Sequence, residues 1–232
     1  MEKFKGLGVA MVTPFNADGS IDYLGLERLT NHLVDGGVNY LVVMGTTGEN
    51  PTINNEEQQA ILQKVIEINA RRLPIVFGIG GNSTAAVVER LKSENLEGVD
   101  GMLSVSPYYN KPSQEGIYQH YKAVSDATPL PVIMYNVPGR TGSLVSAETT
   151  LRIAQLPNIV CTKEASGSLD ICMDVIRGVP EDFGVISGDD NYTMPYIAAG
   201  MQGVISVLGN AYPKEFSQMV NYALDGDFKN AK

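Results

Sequence analysis

A closed (β/α)8 barrel in a single domain is the fold this sequence predicts, on three observations. Eight short β-rich runs recur along the chain, and stretches of helical periodicity lie between them. The length of 232 residues, with 44% hydrophobic and 19% charged residues, suits one large core of the size such barrels reach. An open doubly wound sheet would place a glycine fingerprint after its first strand, but Thr13-Pro14-Phe15 stands there instead.

The predicted strands are 8–14, 40–45, 75–80, 101–107, 132–136, 159–164, 184–188 and 203–208. Amphipathic stretches at 22–35, 54–70, 83–94, 114–125 and 147–155 read as helices between them, and 213–224 closes the last unit. Asn54 precedes Glu56 and Glu57, and Ser146 precedes Glu148, which suits an N-cap followed by acidic groups at the positive end of the helix dipole. Strict alternation of strand and helix implies parallel strands with helices packed outside. No linker, low-complexity tract or short repeat divides the chain.

Bulk composition narrows the function. A net charge of −9 argues against nucleic acid or an anionic membrane as the main partner. The two cysteines, Cys161 and Cys172, form neither a disulfide framework nor a metal-ligand spacing and read as small core residues. The N-terminal residues lack the apolar run of a signal peptide, and no stretch approaches a membrane span, so a soluble cytoplasmic protein is expected.

In such barrels the C-terminal ends of the strands face the active site. Here those ends carry Thr13, Gly45-Thr46-Thr47-Gly48-Glu49, Pro107-Tyr108-Tyr109-Asn110, Tyr135-Asn136, Lys163-Glu164 and Ser187-Gly188-Asp189. Lys163 stands out because it ends an apolar, β-branched strand, 159–164. Lysine is almost never buried without compensation, and desolvation lowers its pKa until a neutral amine can attack a carbonyl. A strand-end lysine that snorkels to water or pairs with Glu164 is the alternative.

Together, Gly45-Thr46-Thr47-Gly48-Glu49, Ser106-Pro107-Tyr108-Tyr109-Asn110-Lys111-Pro112, Tyr135-Asn136-Val137-Pro138-Gly139-Arg140-Thr141-Gly142 and Lys163 resemble the dihydrodipicolinate synthase (4-hydroxy-tetrahydrodipicolinate synthase) family. The resemblance runs from about Gly8 to about Asn210. It implies a class I, Schiff-base enzyme that joins pyruvate to L-aspartate 4-semialdehyde in lysine and diaminopimelate biosynthesis. Lys163 would form the imine, and Tyr135 would move protons. Thr46 would link Tyr135 to Tyr109, which would enter a neighbouring subunit's site in a homodimer or homotetramer. Thr47 would hold the pyruvate carboxylate, with Gly188 and Ile205 lining the pocket. Arg140 would bind the carboxylate of the aldehyde, for which a forked guanidinium is suited. Another pyruvate-dependent aldolase, such as a sugar-acid lyase, and a silent barrel that binds a partner remain open.

The weaker signals point elsewhere. Gly78-Ile79-Gly80-Gly81-Asn82 looks like a phosphate cradle but lacks the lysine of a P-loop. Asp189-Asp190 has no histidine or third carboxylate near it in sequence, and His32 and His120 fall on helical stretches in surface or packing roles. Neither a metal nor an organic cofactor is inferred. Relatives usually continue past the barrel into a small helical domain, which is expected to be absent from this chain of residues 1–232. Many are also inhibited by lysine bound between subunits. Asn82 and Tyr108 match that allosteric site, whereas Ala86 replaces a glutamate, and Asn55 and Gln58 replace histidines. Weak or absent inhibition by lysine is expected.

Overall fold

The structure is a computed structural model that describes residues 1–232. Eight parallel strands close into a barrel in sequence order: β1 (Gly6–Ala10), β2 (Tyr40–Val43), β3 (Ile75–Gly78), β4 (Gly101–Val105), β5 (Val132–Asn136), β6 (Ile159–Glu164), β7 (Gly184–Ser187) and β8 (Gly203–Ser206). The ring shuts where Gly8 of β1 pairs with Ile205 of β8. The helices are α1 (Tyr23–Asp35), α2 (Asn55–Asn69), α3 (Thr84–Ser93), α4 (Gln114–Ala127), α5 (Pro138–Thr141), α6 (Ala147–Ile153), α7 (Leu169–Gly178), α8 (Thr193–Ala198) and α9 (Pro213–Leu224).

Side-chain caps start most of the helices. Asn54 accepts from the Glu57 amide while the Glu57 carboxylate accepts from the Asn54 amide, a reciprocal capping box that satisfies two donors otherwise left open. Ser146 caps α6 through the Thr149 amide, as its position before Glu148 predicts. Asp22, Ser83, Ser113 and Ser168 do the same for α1, α3, α4 and α7.

The first strand differs from its predicted span of 8–14. Beyond Ala10 the backbone leaves the ladder because a side chain takes over its partners: Asn210 donates to Ala10 O at 2.8 Å and accepts from Val12 N at 3.2 Å. Val12 and Thr13 are thereby freed to form the barrel mouth. The predicted helix 147–155 stops at Ile153, and the short α5 and α8 were not distinguished from loops by periodicity.

The apolar residues form two shells. One lies between strands and helices; the other fills the barrel with Phe4, Tyr40, Val42, Val76, Leu103, Ile133, Cys161, Ile186 and Ile205. The lower end is sealed by a short 3-10 turn, Glu2–Phe4. Phe4 meets Tyr40 edge-on, with ring centroids 5.8 Å apart. A side chain at Gly101 would bring its Cβ to 2.6 Å from the tip of the Phe4 ring, and Gly8 faces the Tyr40 ring in the same way. Burying each ring contributes roughly 1.5–3 kcal/mol.

Candidate active site

Strand alternation aims the central pair. Tyr135 of β5 and Lys163 of β6 sit opposite each other in register, and both side chains face the barrel axis. Lys163 Nζ lies 4.2 Å from the centre of the Tyr135 ring, and Lys163 is only 5% exposed. Burial drives the Lys163 pKa from its usual 10.5 down to about 8, with Asp190 and Asp189 opposing the shift and Arg140 adding to it. Near pH 7 the amine is still mostly protonated, but its neutral form is far more accessible than in a free lysine. The expected alternative, a lysine paired with Glu164, does not occur. Adjacent strand residues point to opposite faces, so Glu164 turns outward and meets Asn136 and Ser166 instead.

Burial also pushes the Tyr135 phenol up to about 12, while the Arg140 charge pulls it back. Tyr135 is therefore a neutral phenol at pH 7, further from ionisation than a free tyrosine. A second tyrosine fixes the strand behind it. Tyr121 of α4 donates to Ser104 O at 2.9 Å and accepts from the Tyr135 amide at 3.4 Å, tying β4 and β5 together beneath the site.

The turn after β2 brings Thr46 and Thr47 to the mouth. Met44 adopts φ +57°, a left-handed conformation rare for a side chain of its size, and the chain continues into a 3-10 turn, Thr46–Gly48. Thr13 donates to Gly48 O at 2.7 Å and Asn50 to Met44 O at 3.2 Å, which hold the turn in place. Gly78 makes room for it, since a Cβ there would collide with the Met44 carbonyl. The glycine run at 78–81 thus serves close backbone approach. Thr46 and Tyr135 line one small cavity of about 20 Å³, with Gly45, Asn50, Gly80 and Val105.

On the other side of the lysine, Gly188 leaves space. A Cβ at that position would stand 3.1 Å from Lys163 Cε and 2.8 Å from Ala165 Cβ. Ile205 is fully buried in the inner shell. Asp189 is pushed up by burial and drawn back by Lys163. Asp190 uses one carboxylate oxygen on the amides of Val207 and Leu208, at 3.0 and 2.8 Å, so it ties β7 to β8. Arg140 stands exposed on α5 with no ion pair.

Tyr109 is not brought to Tyr135 within this chain. It is 83% exposed, at φ +72°, and its amide donates to Thr141 O at 3.4 Å, which seats the 107–112 loop on the Arg140 turn. Tyr108 and Asn82 are also exposed on the rim. Gln58 is engaged in structure: its amide donates to Asn50 O and Ile53 O, and its oxygen accepts from Arg90. His120 packs between α3 and α4, where burial lowers its pKa to about 4. A concavity of about 600 Å³ lies at the opposite end of the barrel, among Lys3, Arg71, Arg72 and Asp100. Its Lys3–Asp100 pair is matched at 2.8 Å.

The model of the dihydrodipicolinate synthetase family matches residues 3–232, almost the whole chain. The chain belongs to this family. Among relatives named 4-hydroxy-tetrahydrodipicolinate synthase, that of Parabacteroides distasonis is 55% identical over 98% of this chain and 77% of its own length. The relative from Flavobacterium psychrophilum is 54% identical over 97% and 77%. Among solved structures, the dihydrodipicolinate synthase of Thermotoga maritima superposes with a TM-score of 0.95 at 41% identity, covering 99% of this chain and 79% of that one. The chloride-inhibited enzyme of Acinetobacter baumannii, complexed with pyruvate, gives 0.95 at 41%, covering 98% and 78%.

Sequence reasoning placed Asn136 and Glu164 among the strand-end residues facing the site; the structure turns both outward, fully buried and hydrogen-bonded to each other. The signal was present: each follows a candidate catalytic residue by one position, and alternation sends it behind the site. No helix is long and apolar enough to cross a membrane.

Proposed function

We propose that this chain is a 4-hydroxy-tetrahydrodipicolinate synthase, a lyase that condenses pyruvate with L-aspartate 4-semialdehyde through an imine on Lys163. The observation that carries the reading is the buried lysine amine with its pKa near 8, packed over the Tyr135 ring. The neutral amine attacks the pyruvate carbonyl, water leaves, and an imine forms. The imine is the electron sink, so the pyruvate methyl gives up a proton and becomes an enamine that attacks the aldehyde carbonyl. This sequence calls on no metal or organic cofactor. The amino group of the aldehyde substrate then displaces Nζ, which closes the ring and frees the lysine.

Tyr135 is assigned the proton transfers. With its pKa near 12 it needs a hydroxyl chain to do so, and Thr46, which lines the same small cavity, is assigned the first link. Thr47, Gly188 and Ile205 are assigned to pyruvate, and Arg140 to the carboxylate of the aldehyde. The exposed Tyr109 is assigned to a neighbouring subunit's relay, which makes the working unit a homodimer or homotetramer. In this reading residues 1–232 are the catalytic barrel, working in the cytoplasm, and Ala86 and Gln58 leave lysine inhibition weak or absent.

Borohydride trapping with pyruvate, read by intact mass, tests the chemistry. A pyruvate adduct on the native protein that is lost in Lys163→Ala is expected. No adduct on folded native protein would overturn the reading and favour a silent barrel. Steady-state rates with aspartate semialdehyde and with sugar-acid aldehydes separate the synthase from other aldolases. Arg140→Ala should raise KM for aspartate semialdehyde about tenfold or more, the loss expected for one charge-assisted contact of roughly 1.5–3 kcal/mol.

A further inference from the structure

Directly behind the candidate catalytic pair lies a second pair that the reaction does not touch. One register step beyond Tyr135 and Lys163, Asn136 and Glu164 are again opposite each other, but face out of the barrel. Both are completely buried. Asn136 Nδ2 donates to the two Glu164 oxygens at 3.2 and 3.0 Å, and no other side-chain hydrogen bond joins these two strands.

The pair also reaches the loops that frame the site. Ser166 N donates to Glu164 Oε1 at 2.8 Å, which fixes the exit from β6. Asn136 holds both backbone groups of Val145: its amide donates to Val145 O and its oxygen accepts from Val145 N, each at 3.1 Å. Val145 follows the α5 turn that carries Arg140. Through these four groups, two side chains set the relative position of β5, β6 and the Arg140 turn.

The composition of the pair is costly for a merely structural link. Glu164 is a buried carboxylate with no cation within ion-pair distance, and burial raises its pKa. Apolar side chains of similar volume would seal this layer without the desolvation penalty. Apolar contacts, however, are non-directional, whereas amide–carboxylate bonds fix both distance and angle. That precision suits an amine held 4.2 Å from the centre of the Tyr135 ring.

We propose that Asn136 and Glu164 form a positioning dyad that holds Lys163 and Tyr135 in the geometry for imine formation. The proposal rests on the Schiff-base reading above, and the same trapping chemistry separates the two. If native protein traps no pyruvate, that reading fails first.

If native protein does trap, the initial trapping rate per folded site is measured for Glu164→Gln, Asn136→Ala and the double variant. Each single change is expected to slow trapping tenfold or more, with the double variant no slower than the worse single one, as for two parts of one device. Glu164→Asp keeps the carboxyl group and should recover part of the rate, and it serves as the test if Glu164→Gln does not fold. As a reference, Val175→Ala in α7 lowers stability by core loss alone and should leave the trapping rate within twofold. Rates for the dyad variants within twofold of native, or losses that multiply in the double variant, would overturn the proposal.

Discussion

The two ends of this barrel treat the same space in opposite ways. At the lower end, glycines open gaps in the inner wall and large apolar groups fill them: Phe4 against Gly101 and the Tyr40 ring against Gly8. At the upper end, Gly188 gives the corresponding space to the stem of Lys163 and the small Ala165 methyl. The lower end is closed by rings, and the Tyr40 hydroxyl is buried there without a hydrogen-bond partner. The upper end carries a desolvated lysine and the left-handed Met44 and Tyr109; the lower end has left-handed residues of its own, Ala70 and Arg71. The barrel thus sets large rings at one end and a desolvated amine at the other.

Loss of the plug is the largest expected effect. Phe4→Ala should destabilise the protein by about 3–5 kcal/mol through lost burial and a residual cavity. Its pyruvate trapping rate per folded site should stay within twofold of native. A large fall in that rate would show that the two ends are mechanically coupled. Chemical denaturation and trapping on the same preparation give both quantities.

Replacing the lysine should act in the opposite sense. In the folded chain Lys163 ionises near pH 8, and when unfolded near 10.5. Between these values the unfolded chain binds more protons, so this group's contribution to stability rises with pH through the window. Below pH 8 the buried ammonium is a full liability of roughly 3 kcal/mol. Lys163→Met should therefore be inactive yet more stable than native at pH 7. That advantage should shrink as pH rises from 8 towards 10.5. Thermal unfolding across this range reads it, and a gain that does not change with pH would mean that packing, not charge, is responsible.

A smaller effect is expected at the glycine gap itself. In Gly188→Ala the new methyl would crowd Ala165 and Lys163 Cε. Trapping should slow by about tenfold, with about 1–3 kcal/mol of overpacking cost. If trapping is unchanged while stability falls, Gly188 belongs with the packing glycines of the lower end, and the two ends differ less.

Much of this molecule was legible along the chain. The eight runs, the caps at Asn54 and Ser146, and Lys163 at the end of an apolar strand are local patterns, set by periodicity, by unsatisfied helix amides and by the rarity of buried charge. Those patterns determined the barrel, and the resemblance of four short motifs pointed to the pyruvate chemistry. Other features depend on residues far apart in sequence. Asn210 ends β1 by capturing backbone groups 200 and 198 positions away. Phe4 finds Gly101, and Glu164 turns its back on Lys163 to meet Asn136. Periodicity says which face of a strand a side chain takes; what waits on that face is decided by closure of the barrel. That closure sets Lys163 over Tyr135, lowers its pKa by taking it out of water, and leaves Tyr109 in the open.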